Sequence, residues 1–208
     1  MKKVLSIIII ILFSVSCSQK DLTLRRLDDV NRASKKLQDN KDNKDNEEVL
    51  LEVLNAAQNG GREVRAEAIW VLGNIEAEIA YSDFLKSSVE DPDFNVRCLS
   101  IHGLGRLEAK TPEAIDSIKR AISDTDLQVQ IEALKVAGNL KAPELLNSIL
   151  GSLSSKNKWV RMAAIEALKD YEDKRVDRSL NLLSSTDNDY AVKSTIEQVL
   201  KYRNEKGI

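Results

Sequence analysis

Asp93-Phe94-Asn95-Val96-Arg97-Cys98-Leu99-Ser100-Ile101 is echoed further along the chain by Asn157-Lys158-Trp159-Val160-Arg161-Met162-Ala163-Ala164-Ile165. Between them stands Asp126-Leu127-Gln128-Val129-Gln130-Ile131-Glu132-Ala133-Leu134. Looser copies flank the set, Val64-Arg65-Ala66-Glu67-Ala68-Ile69 before it and Val192-Lys193-Ser194-Thr195-Ile196 after it. The aligned valines are 64, 96, 129, 160 and 192, at spacings of 32, 33, 31 and 32. Such self-similarity at a fixed period marks a stacked repeat architecture.

Each shared feature has a mechanical meaning. Apolar residues at 0, +5 and +8 from the valine, with Ala68, Ser100, Ala133 or Ala164 at +4, share one helical face. The small residue lets a neighbouring helix approach. Asp93, Asp126, Asn157 or Asp189 stands three before the valine, where a side-chain oxygen can cap a helix start. Gly73, Gly105 and Gly138 at +9 suggest left-handed helix ends. A second amphipathic run fills each interval: roughly 47–57, 78–89, 112–122, 143–153 and 175–183. Thr111-Pro112-Glu113 is a good start signal for the third of these, a capping hydroxyl before a first-turn proline. Five units of helix, turn and helix predict about ten helices and an all-α solenoid over residues 47–208.

The Asp-x-x-Val-Arg-x-x-Ala-Ile pattern, as in 93–101 and 157–165, resembles the HEAT-repeat family, and the short unit resembles its phycobilisome-lyase-like subtype. The resemblance is strongest in repeats two to four. It implies a right-handed superhelix whose second (B) helices line a concave side used for partners. It also implies a structural ladder in which the arginine at +1 (Arg65, Arg97, Arg161) bonds the Asp region of an adjacent repeat, represented by Asp93, Asp126 and Asn157. Some family enzymes hold iron through His-Glu dipeptides. Here the single His102 is followed by Gly103, so that chemistry is not expected.

The first residues, MKKVLSIIIIILFSVSC, carry an address. Lys2 and Lys3 precede an apolar run too short to span a bilayer comfortably, then small residues and Cys17. This resembles a bacterial lipobox, although Ser14 stands where that family usually has leucine. The resemblance implies removal of residues 1–16 and lipidation of Cys17. The expected location is the bacterial cell envelope, membrane-anchored and facing the periplasm, with surface exposure open. The alternatives are an ordinary signal peptide and a signal anchor that is never cut. Residues 17–46 read as a lipidated tether. It holds a weak amphipathic helix through Leu24, Leu27, Val30, Ala33 and Leu37, then a polar linker, Asp39 to Asn46, that cannot bury surface to offset its ordering entropy.

Composition narrows the function. Over 208 residues the net charge is −2, and loss of residues 1–16 takes Lys2 and Lys3 to leave −4, which speaks against nucleic acid. Two cysteines cannot make a disulfide framework, and Cys98 is left as a small apolar residue or a free thiol. No phosphate loop, paired metal motif or defensible triad occurs, so no cofactor, metal or catalytic residue is expected. Binding remains. B-helix positions +3, +6 and +10 should face outward, which selects Trp70, Leu99, His102, Arg106 and Lys135 as groove candidates. Trp and Arg are enriched among binding hot spots, and aromatics are 4 % of this chain. Trp159 reads as a packing anchor at a turn. The expectation is a non-enzymatic, lipid-anchored protein-binding scaffold or adaptor. The alternatives are an enzyme or enzyme subunit acting on an envelope substrate, and a purely structural spacer.

Overall fold

The computed structural model describes residues 27–39 and 45–208, and these form eleven α-helices and no strand. Residues 1–26, with the address and Cys17, and linker residues 40–44 lie outside the described residues.

Helix α1 (Leu27–Asp39) precedes five helical pairs. The A helices are α2 (Asp45–Asn59), α4 (Tyr81–Glu90), α6 (Pro112–Ile122), α8 (Leu146–Ser152) and α10 (Lys174–Thr186). The B helices are α3 (Arg62–Asn74), α5 (Phe94–Arg106), α7 (Leu127–Leu140), α9 (Lys158–Leu168) and α11 (Tyr190–Lys206). Each B helix packs on its own A helix and on the next B helix, which produces a solenoid.

Local chemistry explains where the helices start. Asp93 accepts a hydrogen bond from the Asn95 N–H, Asp126 from Gln128, Asn157 from Trp159 and Asp189 from Ala191 and Val192. Thr111 caps α6 ahead of Pro112. The A helices of repeats two and four instead begin with 3₁₀ turns, Glu78–Ala80 and Pro143–Leu145. Ala77 and Ala142 precede these turns and offer no side-chain cap. The tighter turn then takes up the orphan groups.

The core is the repeat pattern made solid. Val64, Ala68, Ile69 and Leu72, Val96, Ser100, Ile101 and Leu104, and their counterparts in α7 and α9 are all buried. Two expectations need correction. The glycines at +9 do not supply left-handed ends; after these three helices positive φ falls instead on Glu76, Glu108 and Lys141, three residues further on. The glycines serve contact between B helices. A Cβ on Gly105 would lie 2.8 Å from Val136, one on Gly138 2.7 Å from Ala167 Cα, and one on Gly73 3.4 Å from Gly103 Cα. The second correction concerns the tether. Helix α1 packs on α2 and α3 and buries Val30, Ala33 and Leu37 in the common core. Among the described residues the common core therefore includes α1, whose apolar stripe covers the end of the first repeat.

Candidate binding groove

The turn before each B helix carries the charges that join neighbouring repeats. Arg65 Nε and Nη2 donate to Asp91 at 2.9 and 2.8 Å, Arg97 to Asp124 at 2.8 Å twice, and Arg161 to Asp187 at 2.6 and 3.2 Å. Each arginine also donates to a carbonyl of its own turn: Gly60, Asp91 or Ser155. The acid of each clamp lies two residues before the cap of the next B helix. Asp93, Asp126 and Asn157 are thus not the clamp acids; each caps its own B helix by accepting the N–H two residues further on. Asp-x-Asp recurs at 91–93, 124–126 and 187–189, so the sequence offers two acids per turn and the contacts decide between them. Hydrogen bonds donated to Asp91 and Asp124 push the Arg65 and Arg97 guanidiniums above their ordinary range. Burial pushes the Asp124 carboxyl up, but Arg97 and the Asp126 N–H outweigh it and hold it below the usual carboxylate range.

The outward face of the B helices holds two adjoining clefts. The first, about 830 Å³, lies along α5 and α7 and brings together His102, Arg106 and Lys135 with Glu76, Glu108 and Glu132. Glu132 is its hub. Its carboxylate is 3.0 Å from His102 Nδ1 and 3.5 Å from Lys135 Nζ. Arg106 donates to Glu76 at 2.6 Å across the first and second repeats. Glu132 occupies outward position +3 of its helix, while Glu76 lies in the turn after α3, where no helical register marks it.

The second cleft, about 770 Å³, lies between α7 and α9. Its lining mixes the apolar Ile131, Met162 and Ala163 with Asn139, Glu166, Asp170 and three lysines, Lys135, Lys141 and Lys169. Trp159 forms a wall. It is 54 % exposed, with Lys158 Nζ 5.4 Å from its ring centre, and so is no packing anchor. Position −1 shares a helical face with +3, so Trp159 belongs to the groove. Trp70, 42 % exposed, and the half-buried Leu99 occupy the same outward positions but line neither cleft.

Other chemistry-bearing groups are held in the framework. Burial, reinforced by Glu132, pushes the Cys98 thiol up to about 11, so it stays protonated at neutral pH. Among the described residues no cluster of His, Cys, Asp and Glu could hold a metal ion. None of the described helices is long and apolar enough to cross a membrane.

The sequence pattern of HEAT repeats matches residues 47–126 and 117–201. No curated protein matches the chain. Among solved structures, one similar chain belongs to the complex of CpcE and CpcF of phycocyanin lyase from Nostoc sp. PCC7120. It is 21 % identical, with a TM-score of 0.58, covering 73 % of this chain and 97 % of that one. Another is a designed armadillo repeat protein in complex with the peptide (KR)4, at 14 % identity and TM-score 0.58, covering 81 % and 84 %. At these identities the likeness shows the fold alone.

Proposed function

Because the chain belongs to the HEAT-repeat family, we propose that it is a non-enzymatic scaffold or adaptor that binds a protein partner along the outward face of its B helices. The observation that carries the reading is the exposure of both tryptophans, Trp70 and Trp159, on that one face. In a chain so poor in aromatics, two large rings left in water are a cost that partner burial would recover. The second cleft, with Trp159, Ile131 and Met162 in its lining, takes a side chain of an extended segment, and the charged first cleft takes its polar neighbours. The similar structures, solved as a protein complex and a peptide complex, are consistent with this use of the fold.

The reading extends to location. Cys17 carries the lipid, the protein sits on a membrane of the bacterial envelope facing the periplasm, and the anchor raises the groove's local concentration toward envelope partners.

The test is crosslinking of the lipidated chain in intact cells, with mass spectrometry of what is captured. A Trp70→Ala/Trp159→Ala variant should lose the partner that the parent captures, while Leu182→Ala, on the exposed A-helix side, should keep it. Retention by the tryptophan variant, with its helicity intact, would refute binding through this face. Radiolabelled palmitate should enter the parent and not Cys17→Ser; label in both would remove the anchor.

A further inference from the structure

The four junctions between successive repeats are not equivalent. Repeats one and two, two and three, and four and five are each clamped at the turn edge by a two-bonded Arg–Asp pair. At the third junction both members differ. Gln130 stands in the arginine position and Ser155 in the aspartate position. Gln130 Nε2 turns back to the Asp124 carbonyl of its own repeat at 2.5 Å, and Ser155 Oγ accepts the Asn157 N–H at 3.2 Å. Among the described residues no ion pair crosses this junction at the turn edge. The two changes suit each other, since either charge alone would sit half-buried without its counterion.

The opposite edge of the same junction is closely tied. Tyr171 Oη donates to the carbonyls of Ala137 and Ala142 at 3.0 and 3.2 Å. Lys141 pairs with Asp170 at 3.4 Å. Gly138 lets α7 meet α9 so closely that a Cβ there would come 2.7 Å from Ala167 Cα.

We propose that this junction is a hinge, fixed at the Gly138–Tyr171 edge and free at the Gln130–Ser155 edge, dividing the solenoid into two clamped blocks: repeats one to three, and repeats four and five. The second cleft spans it. Ile131 and Asn139 belong to one block, Trp159, Met162 and Glu166 to the other. Hinge motion therefore sets the width of that cleft and the size of side chain it admits. The proposal concerns the fold itself and stands whether or not the face binds a protein.

The experiment measures spin-label distances in the full chain in detergent, with Cys17→Ser and Cys98→Ser as background. Labels at exposed Lys86→Cys and Asn181→Cys span the hinge; labels at Lys86→Cys and Arg120→Cys lie within the first block. The spanning pair should give the broader distribution. Gln130→Arg/Ser155→Asp should narrow it to the width of the within-block pair. Conversely, Arg97→Gln/Asp124→Ser should broaden the within-block pair. Equal widths in the unaltered junctions, or a spanning distribution that the restored clamp leaves unchanged, would overturn the hinge. The reciprocal variant decides the matter if the restored clamp fails to fold.

Discussion

Replacing Arg203 by methionine tests the reasoning about how the last repeat is held. Arg203 is 1 % exposed. Its Nη1 donates to the carbonyls of Leu168, Lys169 and Tyr171 at 3.2, 3.1 and 2.8 Å, and Nε and Nη2 donate to Asp177 at 2.7 and 3.3 Å. The guanidinium thus caps the end of α9, where repeat four has Lys169 in place of the glycine at +9. Methionine keeps the apolar stem and removes every donor. Asp177 is 41 % exposed and returns to water, so its loss adds little. The buried Tyr171 carbonyl does not, and an orphaned buried acceptor costs about 1–3 kcal/mol, whereas the Leu168 carbonyl keeps the Tyr171 N–H. With the other charge-assisted bonds to the α9 end also lost, the summed loss is about 2–4 kcal/mol. Because repeats contact only neighbours, the loss should concentrate in α10 and α11. Urea unfolding followed by circular dichroism reads the total, and hydrogen exchange reads the location. Arg175→Met is the control, since it also removes an arginine from a carboxylate but at a solvent-exposed site, and should leave the midpoint unchanged. Equal small losses in both variants would refute the capping role.

The other predictions concern packing and charge. Gly138→Ala should destabilise by about 1–3 kcal/mol, since its Cβ meets Ala167 backbone, whereas Gly151→Ala, with open space around it, should stabilise by about 0.5–1 kcal/mol in thermal melts. Ser100→Ala should stabilise by about 1 kcal/mol, because Ser100 Oγ is buried and has no hydrogen-bond partner while the equivalent positions hold Ala68, Ala133 and Ala164. Acid unfolding should follow the carboxylates of Asp124 and Asp187, both held below their ordinary value of 3.8 by partners that outweigh burial. Their stabilisation is present above about pH 4 and is lost as the pH falls through the folded values. Asp124→Asn should therefore be less stable than the parent at pH 7, with the gap shrinking on acidification; a gap constant with pH would contradict the assignment.

The helical periods were legible in the sequence because each repeat carries local signals: a capping oxygen, an apolar face and a start at Thr111-Pro112. These depend on residues close in the chain, so reading them needs no knowledge of the partner helix. The valine register likewise placed Val96, Ile101 and Leu104 in the core. The glycines were misread because a helix end and a tight helix crossing select the same residue, and only the position of Gly103 beside Gly73 and of Ala167 beside Gly138 separates the two.

Sequence alone determined the architecture, since a period near 32 with two amphipathic faces has one way to bury both. Only the tertiary structure decided the contacts made across repeats. Those are the pairing of Arg97 with Asp124 rather than Asp126, the docking of α1, the exposure of Trp159, and the missing clamp at Gln130 and Ser155. Each pairs groups that lie far apart in the chain or sets how much water a side chain meets. Such distances come from how the repeats stack, which no single repeat encodes.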